Sequence, residues 1–468
     1  MNKQLLIVPV SLSVLALLFT ALAPEAAAQR LYRATSPSNG QLEEVPYRVS
    51  TVAQQPVGNQ QAVPAAVGNV YLEPPAEQQQ VETVTEPVQL PIIGRRLFGH
   101  SWLQGSLVGG QLRGDSLAGV APGLMRQWWA RTEYLVAWRR GQAVPALATS
   151  STAGTALANA GVLGLGSTQL LVGNQTLDDD STPGGRVEVG FWMPSHNRAI
   201  VARFTALGTA NTLFELPASS NTILARPFFN TAVGAQQSLP INFPGSESGS
   251  MSILTASDVL ALDVFVRRPW RRSGRATVDF LWGYQMSRID ESLTISHSST
   301  NADGRNGIPI GTQLDVTDHF ETRNQFHGGM LGILAEIDGG CWTMSMLGKL
   351  GLGNMDQTVI IAGESVITDP GGGVNTQPGL LAGSSNSGVF KNDQFAAVPE
   401  FELRYNRQLS EAVTFSVGYS CIFWTRAVQP GNQIDLNVDV AGGTAPVLSI
   451  DSDKYWLQAL SMGVSWRF

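Results

Sequence analysis

The stretch Trp128-Trp129-Ala130-Arg131-Thr132-Glu133-Tyr134-Leu135-Val136-Ala137-Trp138 decides the fold. Taken alternately, Trp128, Ala130, Thr132, Tyr134, Val136 and Trp138 share one face, and Arg131 and Glu133 share the other. Period two is the signature of a strand, because successive side chains point to opposite faces. Wound as a helix, the same residues give no clean apolar stripe and set Arg131 and Glu133 on different sides.

The same texture recurs along the chain. Strands are predicted near 126–139, 184–193, 198–208, 258–267, 275–290, 318–337, 341–354, 394–407, 412–426 and 455–468. In 275–290, Ala276, Val278, Phe280, Trp282, Tyr284 and Met286 face one way with Asp279 opposite. In 394–407, Phe401, Leu403 and Tyr405 oppose Glu400, Glu402 and Arg404. Lengths near ten residues suit a tilted membrane-crossing strand. The stretch 318–337 reads as one strand or two, so the count stands at about 10–12.

Connection lengths sort by parity. Pro194 to Asn197, Arg268 to Gly274, Asp338 to Gly340 and Gln408 to Glu411 are short; those between, such as 140–183, 209–257 and 355–393, are long. Bacterial barrels have short periplasmic turns and long external loops, whereas a soluble sandwich has no reason to sort its loops this way. The fold class expected is therefore all-β: a transmembrane antiparallel up-and-down β-barrel. Composition agrees. Only 14% of the 468 residues are charged, against roughly 25% in soluble domains, while mean hydropathy is +0.02. A net charge of −7 without a basic cluster argues against nucleic acid. Cys341 and Cys421 form no metal or redox motif, and no disulfide is expected.

Four segments are expected. Residues 1–28 read as a cleaved signal peptide: Lys3, an apolar run from Leu5 to Ala23, then Ala26-Ala27-Ala28 before Gln29. An uncleaved anchor is the alternative. Residues 29–93 read as a disordered periplasmic linker, rich in Pro and Gln, as in Glu73-Pro74-Pro75-Ala76-Glu77. Residues 94–125 are Gly-rich and read as a plug or as more linker. Residues 126–468 are the barrel.

In the last strand, Leu460, Met462, Val464, Trp466 and Phe468 form one apolar face ending in a terminal aromatic. This is expected to be the signal for the barrel assembly machinery, a strand edge open to augmentation. Strand faces without charge are expected to meet the lipid bilayer, because only closed barrels or helices satisfy every backbone group there. The opposite faces carry the expected lumen charges: Arg131, Arg186, Arg203, Lys349, Arg404 and Arg467 against Glu133, Glu188, Asp263, Asp279, Glu336, Glu400 and Glu402. The signs nearly balance, so pairing across a lumen of about ten strands would leave it narrow or blocked. Trp128, Trp138, Trp282, Trp342, Trp424 and Trp466 are candidates for interfacial aromatic belts.

No catalytic, cofactor-binding or metal residues are expected. Asp318, His319 and His327 are the best enzyme candidates, but both histidines have the parity opposite to Asp318. Asp178-Asp179-Asp180 lacks the spaced ligands and Gly of a calcium loop and reads as a solvated tip. Gly161 to Gly166 and Gly371 to Gly373 are loop glycines without the strand-to-helix context of a phosphate site.

Several segments carry a resemblance. Trp129-Ala130-Arg131-Thr132-Glu133-Tyr134-Leu135, Gly184-Gly185-Arg186-Val187-Glu188-Val189-Gly190-Phe191-Trp192, Asp279-Phe280-Leu281-Trp282-Gly283-Tyr284, Asp318-His319-Phe320-Glu321-Thr322-Arg323-Asn324 and Val428-Gln429-Pro430-Gly431-Asn432 resemble, in this order, the beta-barrel porin family numbered seven. Gln429 stands where the family pattern has a basic residue. The resemblance implies an outer-membrane barrel of Gram-negative-type bacteria. Three functions follow as expectations: a porin-like barrel for passive diffusion of small solutes; a structural or surface barrel with a closed lumen, acting through long loops on other cell-envelope components; and, last, an outer-membrane hydrolase.

Overall fold

The computed structural model describes residues 127–193, 196–217, 219, 221–441 and 443–468. The expected signal peptide (1–28), linker (29–93) and Gly-rich segment (94–125) lie outside them. The wall is built from β1 (Trp128–Arg139), β2 (Thr182–Met193), β3 (Arg198–Leu207), β4 (Glu247–Ser273), β5 (Ala276–Asn301), β6 (Gln313–Asp338), β7 (Trp342–Thr368), β8 (Gly388–Gln408), β9 (Val413–Val428) and β10 (Ser452–Arg467). Each pairs antiparallel with the next, and β10 pairs with β1 from Leu457↔Arg139 to Arg467↔Trp129. The ring therefore closes with ten strands, and the 318–337 stretch is one strand.

Each wall strand covers its predicted position, but four run much further, and β4 begins eleven residues before its predicted start at 258. β4 and β7 have 27 residues, β5 and β6 have 26. At roughly 3.3 Å per residue such a strand runs about 90 Å, far beyond the roughly 30 Å of a bilayer core even when tilted. The extension keeps period two. In β5, Leu293, Ile295 and His297 stay buried while Ser292, Thr294 and Ser296 alternate outward. Small hydroxyl residues replaced the apolar outward set, so the contrast that marks a strand in the sequence faded there.

Outward faces record a level. On β1, β8 and β10 the continuous apolar outward run ends at Trp138, Phe395 and Trp456 and is followed by Arg140, Asp393 and Lys454. On β5 the switch comes after Met286, at Arg288 and Asp290. Of the six belt candidates, Trp128, Trp138, Trp282, Trp342 and Trp466 have outward parity. Trp424 does not: it is 1% exposed inside the ring. Its Nε1 donates to Ser287 Oγ at 2.7 Å and its ring meets Tyr455 edge-on at 5.7 Å. Its parity is that of Ser416 and Ser420, opposite to the outward Phe423, which the sequence pattern already contained.

The long connections do not hang free. Ala148–Ser151, Thr168–Val172, Leu224–Asn230, Ala235–Asn242 and Asn437–Val438, from three different connections, form a five-stranded sheet. Leu147, Leu224, Phe228 and Val438 from these connections pack with Ile253, Leu293, Phe320 and Ile361 of the wall. The sheet therefore caps the long-connection end. Asp178 belongs to this packing: it is 5% exposed and accepts from Thr255 Oγ1 at 2.6 Å. Only Asp179 and Asp180 form an exposed tip.

Candidate functional site in the barrel lumen

Strand parity turns a set of side chains inward, and a ring of ten strands leaves little room between them. Their layering can be followed up β7 alone. Leu347 lies in the lowest apolar cluster, Lys349 in a charged layer, Met355 in a second apolar cluster, and Val359 and Ile361 under the cap.

The charged layer holds eight of the thirteen nominated residues. Arg186 Nη1 reaches Glu402 at 2.9 Å and Glu133 at 3.4 Å. Arg203 Nη2 reaches Asp263 at 2.7 Å and Glu400 at 2.6 Å. Lys349 Nζ reaches Asp263 at 2.8 Å and Glu400 at 2.6 Å. Arg404 Nε lies 3.1 Å from Glu133, and its Nη2 pairs with Glu402. Four cations thus meet four anions, all buried, and the layer is formally neutral. Such a network is held together by mutual pairing: the low dielectric that strengthens each contact makes any unpaired member costly.

Below it, four more nominated residues pair in two groups. Arg131 meets Glu188 at 3.3 Å, with Trp129 Nε1 donating to the same oxygen at 3.4 Å. Asp279 and Glu336 both pair with Arg267, whose guanidinium sits 5.7 Å from the centre of the Trp192 ring. Arg267 is a lumen charge beyond those expected from the sequence, although it shares the parity of Asp263. Arg467 lies exposed at the rim. Arg131, Glu188, Arg267, Glu336 and Arg467 border a cavity of about 350 Å³, walled by Trp129, Trp192 and Phe265 and reaching Gln127 at the short-turn end. Its inner end is the charged layer.

Above the charged layer, Leu135, Val259, Ile289, Phe326, Trp424 and Leu457 meet across the lumen. A second polar level follows. Arg139 donates from Nη1 to Ser257 O and Oγ, both at 2.8 Å. Under the cap, Arg226 pairs with Asp318 and lies 3.4 Å from His297 Nδ1. Burial, and then the adjacent guanidinium, hold the His297 pKa down to about 2, so the ring is neutral.

Asp318 is fully buried and accepts from Leu381 N at 3.1 Å and Ala382 N at 2.8 Å. His319 and His327 sit on the other side of the wall, bonded to Thr294 at 2.8 Å and to Tyr284 respectively. The three residues are therefore not one constellation. Among the described residues, no three His, Cys, Asp or Glu side chains gather as a metal site would require. The terminal face is also placed: Leu460, Met462 and Phe468 are exposed, but β10 is paired on both edges. Any augmentation of that edge belongs to a stage before closure.

A closed ring of antiparallel strands with an apolar outer belt and buried charged layers inside defines a bacterial outer-membrane β-barrel. The chain belongs to the family described as Putative beta barrel porin-7, which matches residues 129–468. No curated protein matches it in sequence. Among solved structures, it is similar to the outer membrane protease OmpT from Escherichia coli, at 10% identity and a TM-score of 0.33, over 74% of this chain and 97% of that one. It is similar to a FadL homologue of Pseudomonas aeruginosa at 9% identity and a TM-score of 0.21, over 75% and 94%. It is also similar to an anion-selective porin from Comamonas acidovorans at 8% identity and a TM-score of 0.17, over 73% and 98%. These likenesses concern fold alone.

Proposed function

We propose that this barrel is a structural or surface component of the outer membrane with a closed lumen. It would act through the β-structure and loops above the membrane, not as a passive-diffusion pore. The observation that carries this reading is the neutral layer of Arg186, Arg203, Lys349 and Arg404 with Glu133, Asp263, Glu400 and Glu402. A pore selective for one ion sign tends to line its path with one sign of charge; this lumen spends both signs on itself. The Trp424 layer and the cap lie in series above it.

The family's porin reading keeps one point of support, the cavity of about 350 Å³ at the periplasmic end. A through-path would require the charged layer, the apolar layer and the cap to move together. Vesicle swelling separates the two readings. Proteoliposomes of the folded chain from Gln29 onward should swell in small sugars no faster than empty vesicles. Rapid swelling graded by solute size would overturn the proposal.

A further inference from the structure

The ring is not sealed to its full height. The β8–β9 ladder stops at Glu400↔Ile422. Above it, β8 continues from Pro399 to Gly388 paired only with β7, and β9 continues to Val428 paired only with β10. The cause is local. The β9–β10 register runs Trp424↔Tyr455 and then Ala427↔Asp453, so one extra residue bulges at Thr425–Arg426. A bulge bends its strand and ends pairing on the far side. Pro399, with no N–H to donate, sits at the point of departure. Side chains bridge the opening: Thr425 Oγ1 accepts from Ala397 N at 3.0 Å, and Ser452 Oγ donates to Gln394 at 3.4 Å.

This seam lies where the outward faces change from apolar to charged, beside Trp456 and Lys454. Phe395 on its β8 edge is 72% exposed, and Phe423 on its β9 edge is also exposed. A shallow cavity of about 420 Å³ opens there, bordered by Phe395, Thr425, Arg426, Asp453 and Lys454. Asp453 is taken up by Arg140. Lys454 acts on the same Asp453 carboxylate, whereas Arg426 makes no ion pair with an acidic side chain among the described residues. A chain of net charge −7 thus presents two cations, Arg426 and Lys454, bordering one cavity with the exposed Phe395 ring.

We propose that the seam binds the phosphorylated headgroup of an outer-leaflet lipid. Arg426 and Lys454 hold the phosphate, and an acyl chain lies along Phe395 and Phe423. A guanidinium matches phosphate oxygens two at a time and an ammonium adds a point charge. Phe395 alone would suit any apolar group; the cations placed at the headgroup level select an anionic amphiphile. The proposal rests on the outer-membrane setting and not on the closed lumen, so a conducting barrel would leave it intact.

The test is native mass spectrometry of the folded chain from Gln29 onward, in detergent. Phosphatidic acid is compared with phosphatidylcholine of the same acyl chains. One phosphatidic acid should be retained at least fivefold better than phosphatidylcholine, and its retention should fall about tenfold in Arg426→Ala/Lys454→Ala. Heat-modifiable gel migration confirms that the variant is folded. Should it not fold, the wild-type chain decides: retention should fall steeply between 0.1 and 1 M NaCl, as expected for an exposed ionic contact (Debye length falling from about 10 to about 3 Å). Equal retention of the two lipids, or retention unmoved by the double substitution or by salt, overturns the proposal. So does displacement of phosphatidic acid by equimolar inorganic phosphate, which would make this a site for soluble phosphate.

Discussion

Lys349 Nζ lies between two carboxylates, 2.6 Å from Glu400 and 2.8 Å from Asp263. Lys349→Met keeps the volume and leaves those anions one cation short. Breaking a buried pair in this way costs about 3–5 kcal/mol, read as a lower urea midpoint for unfolding from lipid vesicles. Lys349→Met/Glu400→Gln should recover more than half of that loss. Losses that simply add would show that the two side chains are not coupled. His297 gives a pH prediction. It is neutral in the fold, with its pKa down at about 2, while the unfolded chain protonates near 6.5. Below 6.5 the unfolded state binds the extra proton, so His297 contributes stability above 6.5 that is lost as pH falls toward 2. The loss approaches about 1.4 kcal/mol per pH unit. Relative to His297→Gln, the wild-type chain should lose stability between pH 7.5 and 5; parallel curves would contradict a neutral buried ring.

At the level of elements, the cap depends on Asp318, which collects Arg226 and two backbone N–H groups from the 369–387 connection. Asp318→Asn should loosen that connection without opening the ring. External protease should then cut within 369–387 several-fold faster while heat-modifiable migration persists; unchanged cleavage would mean that packing alone holds the cap. What the sequence disclosed is uneven at this scale. Alternation located all ten wall strands, because one face was apolar and the other polar. It missed the upper reaches of β4 to β7, where Ser292, Thr294 and Ser296 give no contrast with a loop. It missed the cap sheet altogether, since Leu224–Asn230 pairs with segments such as Asn437–Val438 from a distant connection, and such pairing has no local signature. Parity puts Arg131 and Glu133 on one face, but the nearer partner of Arg186 is Glu402, 216 residues away. Which cation meets which anion is decided by closure of the ring.

At the scale of the whole molecule, three barriers stand in series across the lumen: the neutral charged layer, the apolar layer around Trp424, and the loop-built cap. Each is formed by residues from several strands, so no single side-chain rotation opens a path. The long strands place much of the surface of the described residues beyond the apolar belt, where loops and wall form one packed unit. That arrangement suits contact with other envelope components better than conduction. The most direct test is single-channel recording of the folded chain from Gln29 onward in a planar bilayer. The account predicts no discrete conductance steps from protein whose heat-modifiable migration confirms a folded barrel. Stable, reproducible steps from that same material would contradict it, and would show that the charged layer, the Trp424 layer and the cap part together.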